Sequence, residues 1–160
     1  MNVTTYNKIV DQHADGLYRF ALSMCKSQDD AQDAVQEAFS KLWEKKDQVN
    51  VQKIKSYLFT TVHNKMIDQF RKNSRYKSVD VEENIAMTSQ ASPDLKAVLN
   101  EALDTLPEIQ KSVVLLRDYE GYDYNEIADI TDLSLSQVKV YIFRARQKLK
   151  NYIVSMDLVI

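Results

Sequence analysis

The sequence predicts an all-α protein built from two small helical domains that are joined by a flexible linker. Glycine and proline each occur only twice in 160 residues, which disfavours the glycine-rich turns of β-meanders. Apolar residues recur at i, i+3, i+4 and i+7 over most of the chain, as amphipathic helices require. One polar, acidic stretch lacks this periodicity. We therefore predict domains at 1–76 and 94–160, with the linker at 77–93.

The N-terminal domain contains three predicted helices. The first carries apolar residues at helical spacing between Ile9 and Met24, and segment 27–30 supplies capping residues for the second. The second has an unbroken apolar stripe from Ala31 to Trp43 and a polar outer face. The third begins near Ile54 and becomes basic toward its C-terminal end, where cations suit the helix dipole.

The C-terminal domain ends in a predicted helix-turn-helix. A short helix near 124–130, a tight turn at 131–133 and a long basic helix from Ser134 follow one another. Ser134 and Gln137 have the S-x-x-Q spacing of a capping box, which sets the start of the second helix. An amphipathic helix with a solvated basic face is the simpler alternative for this last segment.

Two further residues predict the limits of the helix before this motif. Pro107 stands where proline is tolerated early in a helix, and Gly121 stands where a helix favours glycine at its C-terminal end. We therefore predict one helix between these two positions.

Charge is distributed unevenly along the chain. The net charge is only −2, but segment 53–77 carries seven Lys or Arg against one Asp. Segment 134–151 carries five Lys or Arg and no acidic residue, whereas 80–108 carries seven Asp or Glu against one Lys. Two basic blocks that flank an acidic middle indicate two contact points on one polyanion, such as a nucleic acid.

Composition and motifs disfavour several other classes of protein. Cys25 is the only cysteine, so an internal disulfide is excluded. His13 and His63 are too far apart to suggest a metal site, and no glycine-rich phosphate loop or nucleophile motif is present. No signal-peptide pattern and no apolar run of about 18 residues occur. We therefore expect a cytoplasmic protein that is not an enzyme and needs no metal or cofactor.

Three segments together resemble one protein family. The segment 102–150, which runs ALDTLPEIQKSVVLLRDYEGYDYNEIADITDLSLSQVKVYIFRARQKLK, resembles the fourth conserved domain of extracytoplasmic-function sigma factors. Their second conserved domain is similar to segment 29–45, DDAQDAVQEAFSKLWEK, and segment 55–72, KSYLFTTVHNKMIDQFRK. The resemblance implies a sigma factor that binds core RNA polymerase and directs promoter-specific initiation, in a stress or envelope response. It also implies promoter DNA and an anti-sigma factor as partners, with no small-molecule substrate.

The resemblance assigns the second helix to polymerase binding. In the family, the polar face of this helix docks on the clamp coiled coil of the largest polymerase subunit. An ordinary solvated face is the alternative on chemistry alone. The candidate polymerase-binding residues are Asp33, Gln36, Glu37 and Lys41.

The third helix and the loop before it are implied to recognise and melt the minus-ten promoter element. A basic surface holds phosphates there while polar and aromatic groups trap an unstacked base. Tyr57 and Phe59 could stack on bases, but the spacing places Tyr57 on the core side of the helix, so we expect only one of the two rings to be exposed. The candidate residues for this element are Gln52, Lys53, Lys55, Asn64, Asp68, Arg71, Lys72 and Arg75.

The last helix is implied to recognise the minus-thirty-five element in the major groove. Relatives commonly have glycine at the turn position of Asp132, but aspartate tolerates left-handed backbone. Relatives have small polar or basic residues where Val140 and Tyr141 stand, although an apolar side chain can contact a thymine methyl. The candidate residues are Ser136, Gln137, Lys139, Val140, Tyr141, Arg144, Arg146 and Lys148.

One competing hypothesis is a stand-alone helix-turn-helix regulator that acts without becoming a polymerase subunit. It accounts for the last third of the chain only, and it leaves the basic segment 53–77 unexplained. It also predicts tight operator binding by the protein alone.

Overall fold

The computed structural model describes residues 1–77, apart from the side chains of 75–77, and residues 95–156. All regular secondary structure in these ranges is helical, which confirms the predicted fold class. The predicted linker at 77–93 lies outside the described residues except for Lys77, where the third helix ends. We call residues 1–77 the N-terminal unit and residues 95–156 the C-terminal unit. Within these units, no helix is both long and apolar enough to cross a membrane.

The N-terminal unit consists of the three predicted helices, α1 (Val3–Cys25), α2 (Gln28–Glu44) and α3 (Ile54–Lys77). The hydroxyl of Ser27 accepts a hydrogen bond from the Asp30 backbone N–H at 3.2 Å and so caps the start of α2. Lys26, between α1 and α2, adopts a left-handed conformation with φ 60°, which makes the reversal tight. A short 3₁₀ turn, Val51–Lys53, leads into α3.

The C-terminal unit consists of α4 (Leu95–Asp104), α5 (Glu108–Val114), α6 (Tyr124–Thr131) and α7 (Leu135–Ser155), with a π-helical turn at Leu115–Tyr119 after α5. The predicted start of the helix before the helix-turn-helix is wrong by one residue, whereas the predicted glycine just past its end is confirmed. Pro107 precedes α5 as its N-cap, because its extended ψ of 150° cannot continue a helix. The π turn ends the helix at Tyr119, and Gly121 lies in the following turn with φ +80°.

The helix-turn-helix is formed by α6 and α7, and both helices begin with a capping box. In α7, the Gln137 backbone N–H donates to the Ser134 hydroxyl at 3.1 Å, while the Ser134 backbone N–H donates to the Gln137 side chain at 2.9 Å. Asp132 takes the left-handed conformation expected for the turn, with φ 61° and ψ 35°. The hydrogen bonds of the predicted capping box are present, so the predicted helix-turn-helix is confirmed.

The two units pack against each other, which neither the periodicity nor the charge pattern predicts. Helix α3 lies against α6, and α1 and α3 both contact α5. The buried apolar side chains of the two units form one continuous cluster. In this cluster Phe59 of α3 lies between Phe20 of α1 and Tyr122 of the C-terminal unit, with ring centroids 5.7 and 5.3 Å away. The fold therefore places the candidate DNA-binding helix α3 beside the helix-turn-helix.

Candidate polymerase and nucleic-acid interface

Helix α2 presents its predicted polar face to solvent. Asp33, Gln36 and Lys41 are exposed, whereas Glu37 is half-buried beside α3. The Glu37 carboxylate accepts a hydrogen bond from Lys65 Nζ at 3.1 Å and lies 3.3 Å from Lys41 Nζ. These contacts, the one with Lys65 above all, lower the pKa of Glu37. Asp33 makes no such contact within the described residues, so its charge is free to meet a partner.

The candidate minus-ten residues on α3 form an exposed row that ends near the helix-turn-helix. Asn64, Asp68, Arg71 and Lys72 are all exposed. The first three of them line a groove whose opposite wall is formed by the turn at residues 131–133. The side chain of Arg75, the remaining candidate on this helix, lies outside the described residues.

The loop residues before α3 have different environments. Gln52 and Lys53 are exposed on the 3₁₀ turn, which Asn50 caps by accepting a hydrogen bond from the Gln52 backbone N–H at 3.0 Å. Lys55 is also exposed, but its Nζ lies 4.7 Å from the ring centroid of Tyr122 in the C-terminal unit. This cation–π contact joins a candidate DNA-binding residue of one unit to the other unit.

The two candidate base-stacking rings also differ. Phe59 is 1% exposed, so it is a core residue and cannot stack on a base in this arrangement. Tyr57 is half-buried and lines a cleft with Asn50 and Lys53. The spacing places Tyr57 on the core side, but Phe59 is the more buried ring, because Tyr122, far along the chain, packs against it.

Helix α7 exposes most of its candidate minus-thirty-five residues. Tyr141 is half-buried, and the other seven candidates are exposed. The side-chain oxygen of Gln137 is engaged in the capping box, which leaves its amide nitrogen as a donor for a base or phosphate. Of these candidates, Gln137, Val140, Tyr141 and Arg144 lie at i, i+3, i+4 and i+7, so they share one face of α7.

Two arginines of α7 are held differently. Arg146 forms a bidentate pair with Asp118, with Nε 3.1 Å and Nη2 2.6 Å from the carboxylate oxygens. Arg144 makes no side-chain hydrogen bond or ion pair within the described part of the chain. Its guanidinium is therefore the more available of the two for an external acceptor.

Phe143 is a further candidate on α7 that the sequence motifs did not indicate. Its side chain is 69% exposed, and Val140, one helical turn earlier, is 43% exposed. Two large apolar residues on the outer surface of a DNA-binding helix are suited to contact thymine methyl groups. Helical spacing could have identified it. Phe143 lies seven residues after Ser136 and three after Val140, so it shares a face of α7 with these two candidates.

Comparisons with known proteins cover both units. Residues 9–76 match the family model described as Sigma-70 region 2, and residues 96–149 match the one described as Sigma-70, region 4. The chain is 34% identical to the RNA polymerase sigma factor SigV of Bacillus subtilis, over 93% of this chain and 91% of that protein. It is 29% identical to the ECF RNA polymerase sigma factor SigM of the same organism, over 91% of this chain and 93% of that protein.

Two solved structures are also similar. One is the sigma factor RpoE in complex with the anti-sigma factor NepR from Bartonella quintana, with a TM-score of 0.78 and 26% identity. It aligns over 94% of this chain and 98% of that one. The other is CnrH in complex with the cytosolic domain of CnrY, with a TM-score of 0.72, 25% identity and coverage of 96% and 90%.

The order of the two matched regions and the similarity over nearly the whole chain agree with the surfaces on α2, α3 and α7. The chain belongs to the extracytoplasmic-function group of the sigma-70 family, the promoter-recognition subunits of bacterial RNA polymerase.

Proposed function

We propose that this sigma factor binds core RNA polymerase through the polar face of α2, contacts the minus-ten element through α3 and the turn before it, and contacts the minus-thirty-five element through α7. The observation that carries this proposal is the presence of both sigma regions in one chain, each with an exposed polar or basic helix face. Sigma factors act by binding, and the chemistry of RNA synthesis belongs to the core enzyme.

Control by an anti-sigma factor, in a stress or envelope response, is the second part of the proposal. The supporting observation is that the similar RpoE structure is a complex with its anti-sigma factor NepR. Such control would act on a protein that is otherwise ready to bind polymerase.

In vitro transcription with purified core polymerase and genomic templates tests the proposal. We expect the chain to make core enzyme initiate at specific start sites, and we expect the protein alone to bind promoter duplex weakly, because each unit offers only a small basic surface. Tight and specific binding to duplex without polymerase, with no initiation by core enzyme, would favour the stand-alone regulator instead.

The role of α2 has its own test. Asp33→Lys should weaken the association with core polymerase by about tenfold, the effect of losing about 1.4 kcal/mol at an interface. It should leave the melting temperature unchanged, because Asp33 is exposed and has no contact within the described residues. Asp11→Lys, the same charge change at an exposed residue of α1, is the control and should bind core polymerase like the wild type. Equal binding by all three proteins in a pull-down would remove Asp33 from the interface.

A further inference from the structure

Among the residues that the structure describes, two arginines are each held by a carboxylate through two hydrogen bonds. Arg19 of α1 donates to Glu120 from Nε at 3.0 Å and from Nη2 at 2.9 Å, and this pair joins the two units. Arg146 of α7 donates to Asp118 from Nε at 3.1 Å and from Nη2 at 2.6 Å. The second pair lies within the C-terminal unit, on the helix that carries the candidate minus-thirty-five residues.

This pair distinguishes Arg146 from the other cations of α7. Lys139, Arg144, Lys148 and Lys150 make no ion pair within the described parts of the chain. An unpaired cation attracts a phosphate more strongly than a cation that a carboxylate neutralises. The pair therefore weakens the attraction of α7 for DNA unless it provides orientation in return.

The carboxylate of the pair belongs to a turn that is fixed by its own contacts. Asp118 lies in the π turn after α5, where the Glu120 backbone N–H donates to the Leu115 carbonyl at 3.0 Å. Leu115 is buried in the core. Arg117, next to Asp118, donates from Nη1 to the Tyr122 carbonyl at 2.9 Å. Asp118 therefore meets α7 as an acceptor in a fixed position, and π-helical turns are frequent at functional sites.

The geometry of the pair leaves one edge of the guanidinium uncovered. Asp118 accepts from Nε and Nη2 of Arg146, so Nη1 lies outside the contact. The Arg146 side chain is 47% exposed. A guanidinium that is fixed along one edge presents its other donors in one orientation, which reduces the entropy lost when an outside anion binds.

The position of Arg146 along α7 favours a phosphate over a base as that anion. Base edges are contacted by the N-terminal residues of a recognition helix, and Ser136 begins the candidates of α7. Arg146 lies about 15 Å farther along the helix axis, at about 1.5 Å per residue, whereas the major groove is about 8.5 Å deep. Lys139 and Lys150 line the same surface groove as Arg146, as expected of a face that follows a phosphate backbone.

We propose that Asp118 is a positioning residue for promoter binding, which holds the Arg146 guanidinium so that its uncovered Nη1 edge meets one backbone phosphate of the minus-thirty-five element. The proposal rests on the proposed function and deepens it, because it adds a residue that acts on DNA through another residue. An acidic side chain beside a DNA-binding surface repels phosphate by its charge alone. The sign of its effect on affinity therefore separates positioning from simple repulsion.

The affinity for promoter duplex of the holoenzyme, assembled from the full chain and core polymerase, is the first measurement. Asp118→Asn removes a negative charge, but it should weaken promoter binding about three- to tenfold, because Arg146 loses the acceptor that orients it. Arg146→Lys keeps the charge but loses the bidentate geometry, so it should cause a similar loss. The double variant should bind no more weakly than either single variant. Asp129→Asn, the same substitution at an exposed residue of α6, is the control and should bind at least as tightly as the wild type.

Removal of single charges from the DNA supplies the second measurement. A methylphosphonate that replaces one phosphate of the minus-thirty-five element makes that position neutral. At the phosphate that Arg146 contacts, this change should weaken binding of the wild type about three- to tenfold and leave binding of Arg146→Gln nearly unchanged. Asp118→Asn should show a smaller loss than the wild type at this phosphate and equal losses at the others. A general destabilisation of α7 would lower the affinity for every duplex alike and would not produce this difference.

Two results would overturn the proposal. One is tighter promoter binding by Asp118→Asn than by Asp129→Asn, which would make Asp118 a charge that repels DNA. The other is the same phosphate profile for Asp118→Asn and the wild type. Association with core polymerase should be unchanged in all variants, which checks that they fold; if Asp118→Asn does not fold, wild-type promoter affinity of Arg146→Lys would overturn the proposal instead. Failure of the wild-type holoenzyme to initiate at specific sites would overturn the proposed function.

Discussion

At the scale of single residues, two arginines that look equivalent in the sequence differ in their contacts. Arg144 and Arg146 are two positions apart on α7, and both are exposed. Asp118 holds the guanidinium of Arg146, whereas Arg144 has no partner among the described residues. An arginine without an internal acceptor keeps all its donors for DNA, so the two should contribute differently to promoter recognition.

Arg144→Ala should therefore change sequence preference. If Arg144 contacts a guanine through two hydrogen bonds, the substitution should cost about 1–3 kcal/mol of binding free energy and relax the preference at one base pair. Arg146→Ala should instead weaken all promoters alike, because its guanidinium also fixes α7 to the π turn through Asp118. Promoter strength across a library randomised in the minus-thirty-five element, measured for both variants and the wild type, separates the two effects. If Arg144→Ala weakens all promoters equally, Arg144 contacts a phosphate. If both the preference profile and the promoter strength are unchanged, Arg144 has no role in DNA binding.

At the scale of elements, short-range caps determine where the helices of the C-terminal unit begin and end. Both α6 and α7 start with a reciprocal capping box, and α6 ends at Asp132 in left-handed backbone. The left-handed conformation strains a residue that has a Cβ atom, and glycine removes this strain. The turn therefore forms with a residue that is tolerated rather than optimal.

Glycine substitutions in and beside this turn should have opposite effects. Asp132→Gly should raise the free energy of unfolding by up to about 1 kcal/mol, because glycine adopts positive φ without steric cost. Asp129→Gly, inside α6 and exposed, should lower it by about 0.5–1 kcal/mol, because glycine disfavours a helix interior. Urea denaturation of both variants measures the two changes. Destabilisation by Asp132→Gly would show that the Asp132 side chain has a stabilising role beyond the turn geometry.

At the scale of the whole molecule, a buried histidine lies where the two units meet. His63 of α3 is 3% exposed, and its Nε2 is 3.0 Å from the hydroxyl of Ser112 in α5. Burial lowers the pKa of His63 to about 4, and only a hydrogen bond with Asn64 opposes this shift. The folded protein therefore keeps His63 neutral, whereas the unfolded chain protonates it near its ordinary pKa.

Stability should consequently fall as the pH falls from about 6.5 to about 4. The unfolded state binds the extra proton in this window, so the free energy of unfolding decreases with each step toward acid. With a folded pKa of about 4 and an unfolded pKa of about 6.5, the contribution of His63 should be about 2 kcal/mol less favourable at pH 5 than at pH 8.

Chemical denaturation at several pH values checks this prediction. His63→Gln should remove most of the pH dependence, even if it changes stability at neutral pH. His13→Gln is a comparison variant. Burial and the nearby Lys55 also lower the pKa of this less buried histidine, so its loss should remove a smaller part of the pH dependence. Burial raises the pKa of Glu108 and so acts in the opposite direction. Identical pH profiles for wild type and His63→Gln would contradict the assignment.

The sequence alone determined the features that depend on neighbours within about one helical turn. Periodicity predicted the helices, and the spacing of Ser134 and Gln137 predicted the capping box that the structure contains. The family motifs pointed to the polar face of α2, the basic end of α3 and the outer face of α7, and these surfaces are largely exposed. Such features are encoded by residues close together in the chain.

The way in which the two units meet depends on residues that are far apart in the chain. Arg19 and Glu120 are 101 residues apart in the chain, and neither the charge pattern nor the periodicity links them. An amphipathic pattern shows which face of a helix is buried but not which element covers it. The burial of Phe59, the contact of Lys55 with Tyr122 and the pairing of Arg146 with Asp118 therefore became visible only in three dimensions.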